Sequence, residues 1–361
     1  MNQLEGRGHY KCIGTMSGTS LDGLDLVYCE FVKSGDQWSF KILNSKSLSY
    51  DAPLRDDLFN APSFDSERLM LLDRSIGKFF ADAIQTFIRE NSLQPDFISS
   101  HGHTIFHQPE SLLTLQIGNG YVIAANTGIP VITDFRSLDV ALSGQGAPLV
   151  PIGDHFLFSD YDIRLNLGGI SNISLEKGNQ TIAYDVSPAN MILNYLTRKI
   201  NLPFDQGGKL AREGNLHQDL FNQLNGISYY SLPYPKSLGF EYMRDNFFPL
   251  LDNEEIPLND RIHTATKHIS YALAKEIKAL RDSKGKILVT GGGAYNDFLI
   301  DYLSEFLPQY VVHVPDTQII DFKEALIFGF LGVLRLNHIN NCLKSVTGAS
   351  RDNCGGVVYY P

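Results

Sequence analysis

The sequence predicts a two-lobed α/β protein, and three observations carry that prediction. At 361 residues the chain is longer than one compact core usually holds. Hairpin-like strands followed by alternating helix and strand occur twice, first from Tyr10 and again from Arg164. Apolar residues make up 43% and charged residues 19%, a soluble mixture rich enough to bury two cores.

The elements follow in order. Tyr10 to Met16 reads as a strand, Ser17 to Gly23 as a turn of small residues, Leu24 to Val32 as a second strand and Trp38 to Tyr50 as a third. Leu69, Leu72, Ile76, Phe79, Phe80, Ile84 and Phe87 then recur at helical spacing, which predicts a helix over Glu67 to Glu90. Phe97 to Ser100 reads as a short buried strand ending at His101-Gly102-His103, Pro130 to Asp134 as another, and Val150 to Phe158 as a short helix. The second series has strands at Arg164 to Leu167, Ile170 to Leu175 and Thr181 to Tyr184, and a helix from Asn190. A long helix at Ile262 to Arg281, an apolar strand at Lys286 to Thr290 and a helix at Lys323 to Asn337 complete it. The expected division is a first lobe over 1–158, a second over 159–340, and a final segment, 341–361, packed near their junction.

Charge and composition exclude several classes. A formal charge of −10 argues against a general nucleic-acid binder, which would show a basic face. Cys12, Cys29, Cys342 and Cys354 form no C-x-x-C pair and read as reduced thiols. The first eleven residues lack the apolar core of a signal peptide, and no run reaches the roughly 18–20 apolar residues of a membrane span. A cytoplasmic protein acting on a soluble substrate is expected.

No Walker A motif is present, and no G-x-G-x-x-G follows a strand. Instead, Gly14-Thr15-Met16-Ser17-Gly18-Thr19-Ser20-Leu21-Asp22-Gly23 connects two strands, with Leu24 and Asp25 just beyond. Its glycines permit close backbone approach, and its hydroxyls and N–H groups suit a polyphosphate. An ordinary polar hairpin turn is the other reading. Gly168-Gly169 sits in a second such turn. Gly291-Gly292-Gly293 follows an apolar strand, where a flat adenine can meet the backbone. Two hairpins and a strand–GGG–helix unit, in this order, are the layout of the actin/hexokinase-like (ribonuclease H-like) ATPases. Two hairpins on opposite lobes would meet one ATP only if the lobes approached, so closure around a central cleft is expected.

At these residues the chain resembles the anhydro-N-acetylmuramic acid kinases. The matching stretches are Ile13 to Asp25, His101 to Pro109, Thr114 to Asn119, Asp134-Phe135-Arg136, Gly144 to Pro151, Asn166 to Asn172, Gly291 to Asn296 and Lys323 to Gly329. The resemblance implies an ATP- and Mg²⁺-dependent reaction of peptidoglycan recycling. Water opens a 1,6-anhydro sugar while the oxygen on carbon six takes the γ-phosphoryl group, giving N-acetylmuramic acid 6-phosphate and ADP. It also implies a homodimer.

That reaction needs a carboxylate to take the water's proton. The resemblance assigns this to Asp185, within Tyr184-Asp185-Val186-Ser187-Pro188-Ala189-Asn190; helix capping is the alternative role. The family motif reads Asp-Thr-Gly-Pro-Gly-Asn, so Ser187 and Ala189 stand where it has glycines. The resemblance places Glu324 at the substrate beside the attacking water; pairing with a helix N-terminus is its alternative. His103, Thr104, Gln116, Arg136 and Asp139 are assigned to the sugar, with Arg136 suited to the lactyl carboxylate through a bidentate contact. Asp205-Gln206-Gly207-Gly208 is a further loop candidate. His101, His103 and His107 have metal-like spacing, but no fourth ligand is evident nearby.

Two other functions fit parts of the pattern. Another sugar or carboxylate kinase of the superfamily would share the ATP loops and differ in its sugar contacts. An ATP-switched scaffold or chaperone would need an appended peptide-binding domain, which this pattern lacks. A serine hydrolase is excluded because no G-x-S-x-G elbow is present.

Overall fold

The computed structural model describes residues 4–18, 21–178, 180–281 and 283–361. These form two compact units, Met1–Leu157 with Phe322–Pro361, and Phe158–Asp321. The expected boundary near residue 158 separates the units, but 322–340 and the C-terminal segment belong with the first unit. The reason is packing: helix Thr317–Leu336 lays Ala325 and Gly329 against Gly14, where a β-carbon would lie 2.1 Å from the Ala325 carbonyl oxygen.

The first unit carries a seven-stranded sheet. Strands β1 (His9–Ser17), β2 (Gly23–Ser34) and β3 (Gln37–Ser49) form an antiparallel meander, and β4 (Phe97–Gln108) runs parallel to β1 on its other side. Strand β5 (Leu113–Ile117) folds back onto β4, β6 (Val131–Thr133) continues the parallel direction, and β12 (Val357–Tyr359) closes that edge. The helix Ser66–Asn91 buries Leu72, Ile76, Phe80, Ile84 and Phe87 on one face, as its spacing predicts. These side chains join Ile13, Leu24, Leu26 and Ile98 in one core. Asp65 caps the helix through the Arg68 N–H at 2.8 Å.

The second unit carries a five-stranded sheet of order β11-β10-β7-β8-β9. Strands β7 (Ile163–Leu167), β8 (Ile170–Lys177) and β9 (Gln180–Pro188) repeat the antiparallel meander. Strands β10 (Gly285–Thr290) and β11 (Tyr310–His313) add in parallel beside β7. A three-stranded meander extended by parallel strands beside its first member thus occurs in both units, the ribonuclease H-like arrangement of actin- and hexokinase-type ATPases. The helix Leu258–Leu280 supplies Ile262, Ile269, Leu273 and Ile277 to the second core, with Leu165, Ile173, Val186 and Val289 from the sheet.

Two elements differ from the sequence expectation in ways that move site residues. Strand β4 does not stop at Ser100; it runs to Gln108, because β5 supplies a hydrogen-bonding partner for that stretch. Gly102 allows this with φ +77°, a backbone shape that side chains resist, and a β-carbon there would lie 2.7 Å from the Ile117 carbonyl oxygen. The helix bearing Glu324 starts at Thr317, so Glu324 is its eighth residue and lies beyond the first-turn field of the helix dipole. Among the described residues no helix is long and apolar enough to cross a membrane.

Candidate active site

In the first unit the predicted sugar residues gather on the far half of β4 and around Arg136. Arg136 follows β6, and its side chain lies among His101, Gly146 and Phe328. Its Nε is 3.1 Å and one terminal nitrogen 2.9 Å from His101 Nε2, while the other terminal nitrogen donates to the Gly146 carbonyl at 2.7 Å. The guanidinium carbon lies 5.8 Å from the Phe328 ring centroid, and the His101 ring packs on Phe328 at 4.5 Å. Burial lowers the Arg136 pKa to about 10, with the Glu324 carboxylate acting against that fall.

Glu324 is accessible to solvent, yet crowding by protein atoms is the first cause raising its carboxyl above the ordinary range. Lys323 and Arg136 oppose the rise, and Asp25 adds to it. The carboxylate is only partly desolvated, since water still reaches it. Its neighbour Lys323 turns into the protein and pairs with Asp154 at 2.7 Å, both side chains 6% exposed.

His103 is buried, with Nδ1 2.8 Å from Ser17 Oγ, and desolvation lowers its pKa to about 4. It is therefore a neutral ring at ordinary pH. Thr104 and Gln116 are half-buried cross-strand partners, and Gln116 Nε2 is 3.4 Å from Thr104 Oγ1 and 2.9 Å from Thr114 Oγ1. Asp139 does not suit the sugar-binding role expected of it. Its side chain has no exposed surface; Oδ1 accepts from Thr347 and Asn353, and Oδ2 from the Gly146 N–H at 2.8 Å. Those bonds tie the 143–147 loop to the C-terminal segment, so Asp139 holds structure rather than a ligand.

The metal-like spacing of His101, His103 and His107 also resolves into other contacts. His101 faces Arg136, His103 faces Ser17, and the exposed His107 lies 3.2 Å from Thr114 Oγ1. Among the described residues no group of three or more His, Cys, Asp or Glu is placed to hold a metal ion.

The first hairpin is only partly available for phosphates. Thr15 Oγ1 donates to Ser100 Oγ at 2.9 Å, and Ser17 Oγ lies 2.5 Å from the Tyr50 hydroxyl, so these two of the expected phosphate hydroxyls are committed inside the unit. Gly14 makes room for the long helix, and Gly23 for the Leu48 carbonyl, 2.0 Å from its would-be β-carbon. Leu21 N–H donates to the Gly18 carbonyl at 3.3 Å, and Asp22 is exposed. Thr19 and Ser20, also expected at ATP, lie outside the described residues. Leu24 is fully buried, and Asp25 accepts from Ser47 Oγ at 2.5 Å.

In the second unit the other two glycine loops come together on Asn190. Asn190 Nδ2 donates to the Leu167 carbonyl at 2.9 Å, and Gly293 fits only because a β-carbon would come within 2.7 Å of Leu167 Cβ. Gly291, at φ +80°, lies against Asn166 and Leu167. Gly292 differs: a β-carbon there would meet nothing closer than Asn190 Nδ2 at 3.6 Å. The carbonyls of Gly168 and Gly169 accept the N–H groups of Ala189, Asn190 and Met191, capping the helix Asn190–Arg198. Among the described residues no partner holds the N–H groups of Gly168, Gly169, Gly292 or Gly293. Backbone N–H groups without a partner are of the kind that can hold phosphate oxygens.

This arrangement also removes capping as a role for Asp185. Asp185 lies inside β9 rather than at its end, and the helix after it is capped by backbone carbonyls. Its Oδ2 accepts from the Leu238 N–H at 3.0 Å and Ser237 Oγ at 3.2 Å. Burial raises its carboxyl above the ordinary aspartate value, with those two donors opposing. Beneath it, the Tyr229 hydroxyl donates to the Asp185 carbonyl at 2.6 Å. Sequence reasoning did not single out Tyr229, Lys236, Ser237 or Leu238. The Pro-flanked run Leu232-Pro233-Tyr234-Pro235-Lys236-Ser237 marks a loop, but nothing in it says which strand the loop will cover.

Ser187 and Ala189, the departures from the family motif, are both fully buried. Ser187 Oγ lies 3.0 Å from the Tyr230 hydroxyl, which in turn lies 2.7 Å from Nε2 of the buried His268. Asp205 is buried too, its carboxylate accepting from the N–H groups of Leu210 and Ala211 at 2.9 and 3.0 Å, so it serves its own turn.

A family model described as anhydro-N-acetylmuramic acid kinase matches residues 10–361. The chain is 35% identical to the anhydro-N-acetylmuramic acid kinase of Aliivibrio fischeri over 97% of its length and 99% of that protein. It is 34% identical to the enzyme of the same name from Vibrio cholerae, over 97% and 98%. Among solved structures, it is similar to the (R)-2-hydroxyglutaryl-CoA dehydratase component A of Acidaminococcus fermentans, at 10% identity and a TM-score of 0.47, covering 91% of this chain and 99% of that one. It is also similar to a ROK hexokinase of Thermus thermophilus, at 13% identity and a TM-score of 0.37, over 90% and 99%.

Proposed function

From the premise that the chain belongs to the anhydro-N-acetylmuramic acid kinase family, we propose that it opens 1,6-anhydro-N-acetylmuramic acid with water and phosphorylates it at the expense of ATP, in peptidoglycan recycling. Water adds to the anomeric carbon and the bond from that carbon to the bridging oxygen breaks. The freed oxygen on carbon six takes the γ-phosphoryl group, giving N-acetylmuramic acid 6-phosphate and ADP.

The observation that carries the reading is the state of Asp185. Its carboxylate is half-buried, destabilised as an anion and, among the described residues, held through one oxygen. A carboxylate raised in this way is a better proton acceptor for water than an ordinary surface aspartate. Glu324 assists at the attacking water, and Arg136 grips the lactyl carboxylate through N–H groups not spent on His101 and Gly146. His103, Thr104 and Gln116 supply sugar contacts. In the second unit the 168–169 turn and the 291–293 turn offer backbone N–H groups to the nucleotide, and in the first unit the family resemblance assigns the Gly18 to Gly23 stretch to phosphate.

Mg²⁺ would neutralise charge on the transferring phosphoryl group. This ion typically keeps several waters and binds through the phosphates of its substrate. The same reading carries a cytoplasmic location, where ATP is at hand, and a homodimer as the working form. Incubation with Mg-ATP and the anhydro sugar, followed by product mass and the position of the phosphate, tests the proposal. A product phosphorylated without ring opening, or no product, would overturn it.

A further inference from the structure

We infer that Ser237 is a positioning residue for the base, holding Asp185 Oδ2 so that Oδ1 is the oxygen left to take the proton. The inference rests on Asp185 acting as proposed above.

Every polar atom of Asp185 but one is engaged. Its N–H donates to the Lys236 carbonyl at 3.2 Å, and its carbonyl accepts from Tyr229 at 2.6 Å. Oδ2 accepts from both Leu238 N–H and Ser237 Oγ. Oδ1 has no donor among the described residues. An aspartate carboxyl rotates over a broad, two-fold torsional well that exchanges its oxygens. Two donors on one oxygen break that equivalence. The held oxygen has its lone pairs occupied, so the basic lone pairs that remain belong to Oδ1.

The segment that does this is itself anchored. Lys236 is buried and its ammonium lies 3.4 Å from Glu276, over the rings of Tyr184 and Tyr229 at 5.8 and 5.2 Å. Leu238 is buried as well. Ser237 between them is exposed, so its hydroxyl can be removed without opening a cavity. The charged and titratable groups around Asp185 come from four elements. Lys236 lies on its own segment, Glu276 on the helix Leu258–Leu280, and the phenols of Tyr229, Tyr230 and Tyr184 on the 228–231 turn and β9. Burial raises all three phenols, which stay neutral at working pH. Ser237→Ala leaves each of these groups in place and removes one donor that favours the ionised carboxylate.

The test uses the full chain with aspartate labelled at the carboxyl carbon, the Asp185 signal being identified by its loss in Asp185→Asn. In Ser237→Ala the Asp185 titration should move to higher pH, because a donor to the anion is gone. Turnover should fall about tenfold, the size expected for one hydrogen bond to a charged group, with KM for ATP unchanged. The acid limb of the kcat profile should move the same way, and Ser237→Thr should restore both. An unmoved Asp185 titration in an active Ser237→Ala enzyme would overturn the positioning role alone. Absence of turnover of the anhydro sugar by the unmodified protein would instead overturn the functional reading beneath it.

Discussion

Arg136 addresses one ring nitrogen of His101 with two of its own, at 3.1 and 2.9 Å. The other ring nitrogen lies 2.9 Å from the Gly102 carbonyl, which can only accept, so Nδ1 carries the proton and Nε2 receives. Burial and the guanidinium charge together push the imidazole pKa well below its usual value. A neutral histidine is thus built in as the acceptor that fixes the plane of the guanidinium.

Arg136→Lys should therefore raise KM for the anhydro sugar about 10–100-fold while leaving KM for ATP near normal. A lysine keeps the charge but loses the planar fork. Steady-state kinetics with each substrate varied in turn checks this, and an unchanged sugar KM would reduce Arg136 to a structural partner of His101.

Asp185→Asn should cost about 10²–10⁴-fold in turnover with the fold and ATP binding retained. The amide oxygen can still accept from Leu238, and the following helix keeps its Gly168 and Gly169 caps. Near-normal activity would transfer the base role to Glu324.

The two glycines Gly292 and Gly14 should respond differently. Gly292→Ala meets nothing closer than 3.6 Å among the described residues, so stability should hold while KM for ATP rises if the nucleotide lies against that backbone. Gly14→Ala drives a β-carbon to 2.1 Å from the Ala325 carbonyl oxygen and should destabilise the first unit whatever the ligand. Thermal unfolding and ATP titration of both variants separate the cases. Unaltered ATP affinity in Gly292→Ala would remove that glycine from the nucleotide site.

Lys323→Met should destabilise the protein by about 3–5 kcal/mol, because it removes the cation paired with the buried Asp154 carboxylate. Adding Asp154→Leu should recover most of that loss. Chemical denaturation of the single and double variants provides the comparison, and a harmless single variant would show that the pair is not a stabilising unit.

Both carboxyls proposed for the reaction, Asp185 and Glu324, are raised by desolvation, and the sign of the pH dependence follows. A base works when deprotonated, so activity should rise with pH through a carboxyl titration lying above the ordinary aspartate range. For stability, a folded carboxyl whose pKa exceeds its unfolded value favours the folded state below the unfolded pKa. That contribution is lost as pH rises through the folded pKa. Glu324→Gln should thus match or exceed the unmodified protein in Tm at about pH 8 and show no such gain at about pH 4. A lower Tm at the higher pH would mean that the Arg136 and Lys323 charges outweigh the crowding.

Much of this was legible in residues alone. Local pattern determined both meanders, the helix whose apolar stripe runs from Leu69 to Phe87, and the three glycine turns, because strand alternation, helical period and glycine turn chemistry act over a few neighbouring residues. Family-specific stretches singled out Asp185, Glu324 and Arg136. Only tertiary structure decided what each side chain faces. It turned Thr15 and Ser17 inward onto Ser100, Tyr50 and His103, enclosed Asp139 among Thr347, Asn353 and Gly146, and gave Arg136 to His101. It also laid Ser237 and Leu238 on Asp185, more than fifty residues away in the chain. Such pairings depend on which distant segment satisfies a buried polar group, and a buried donor or acceptor takes the partner that packing brings, which no local pattern encodes.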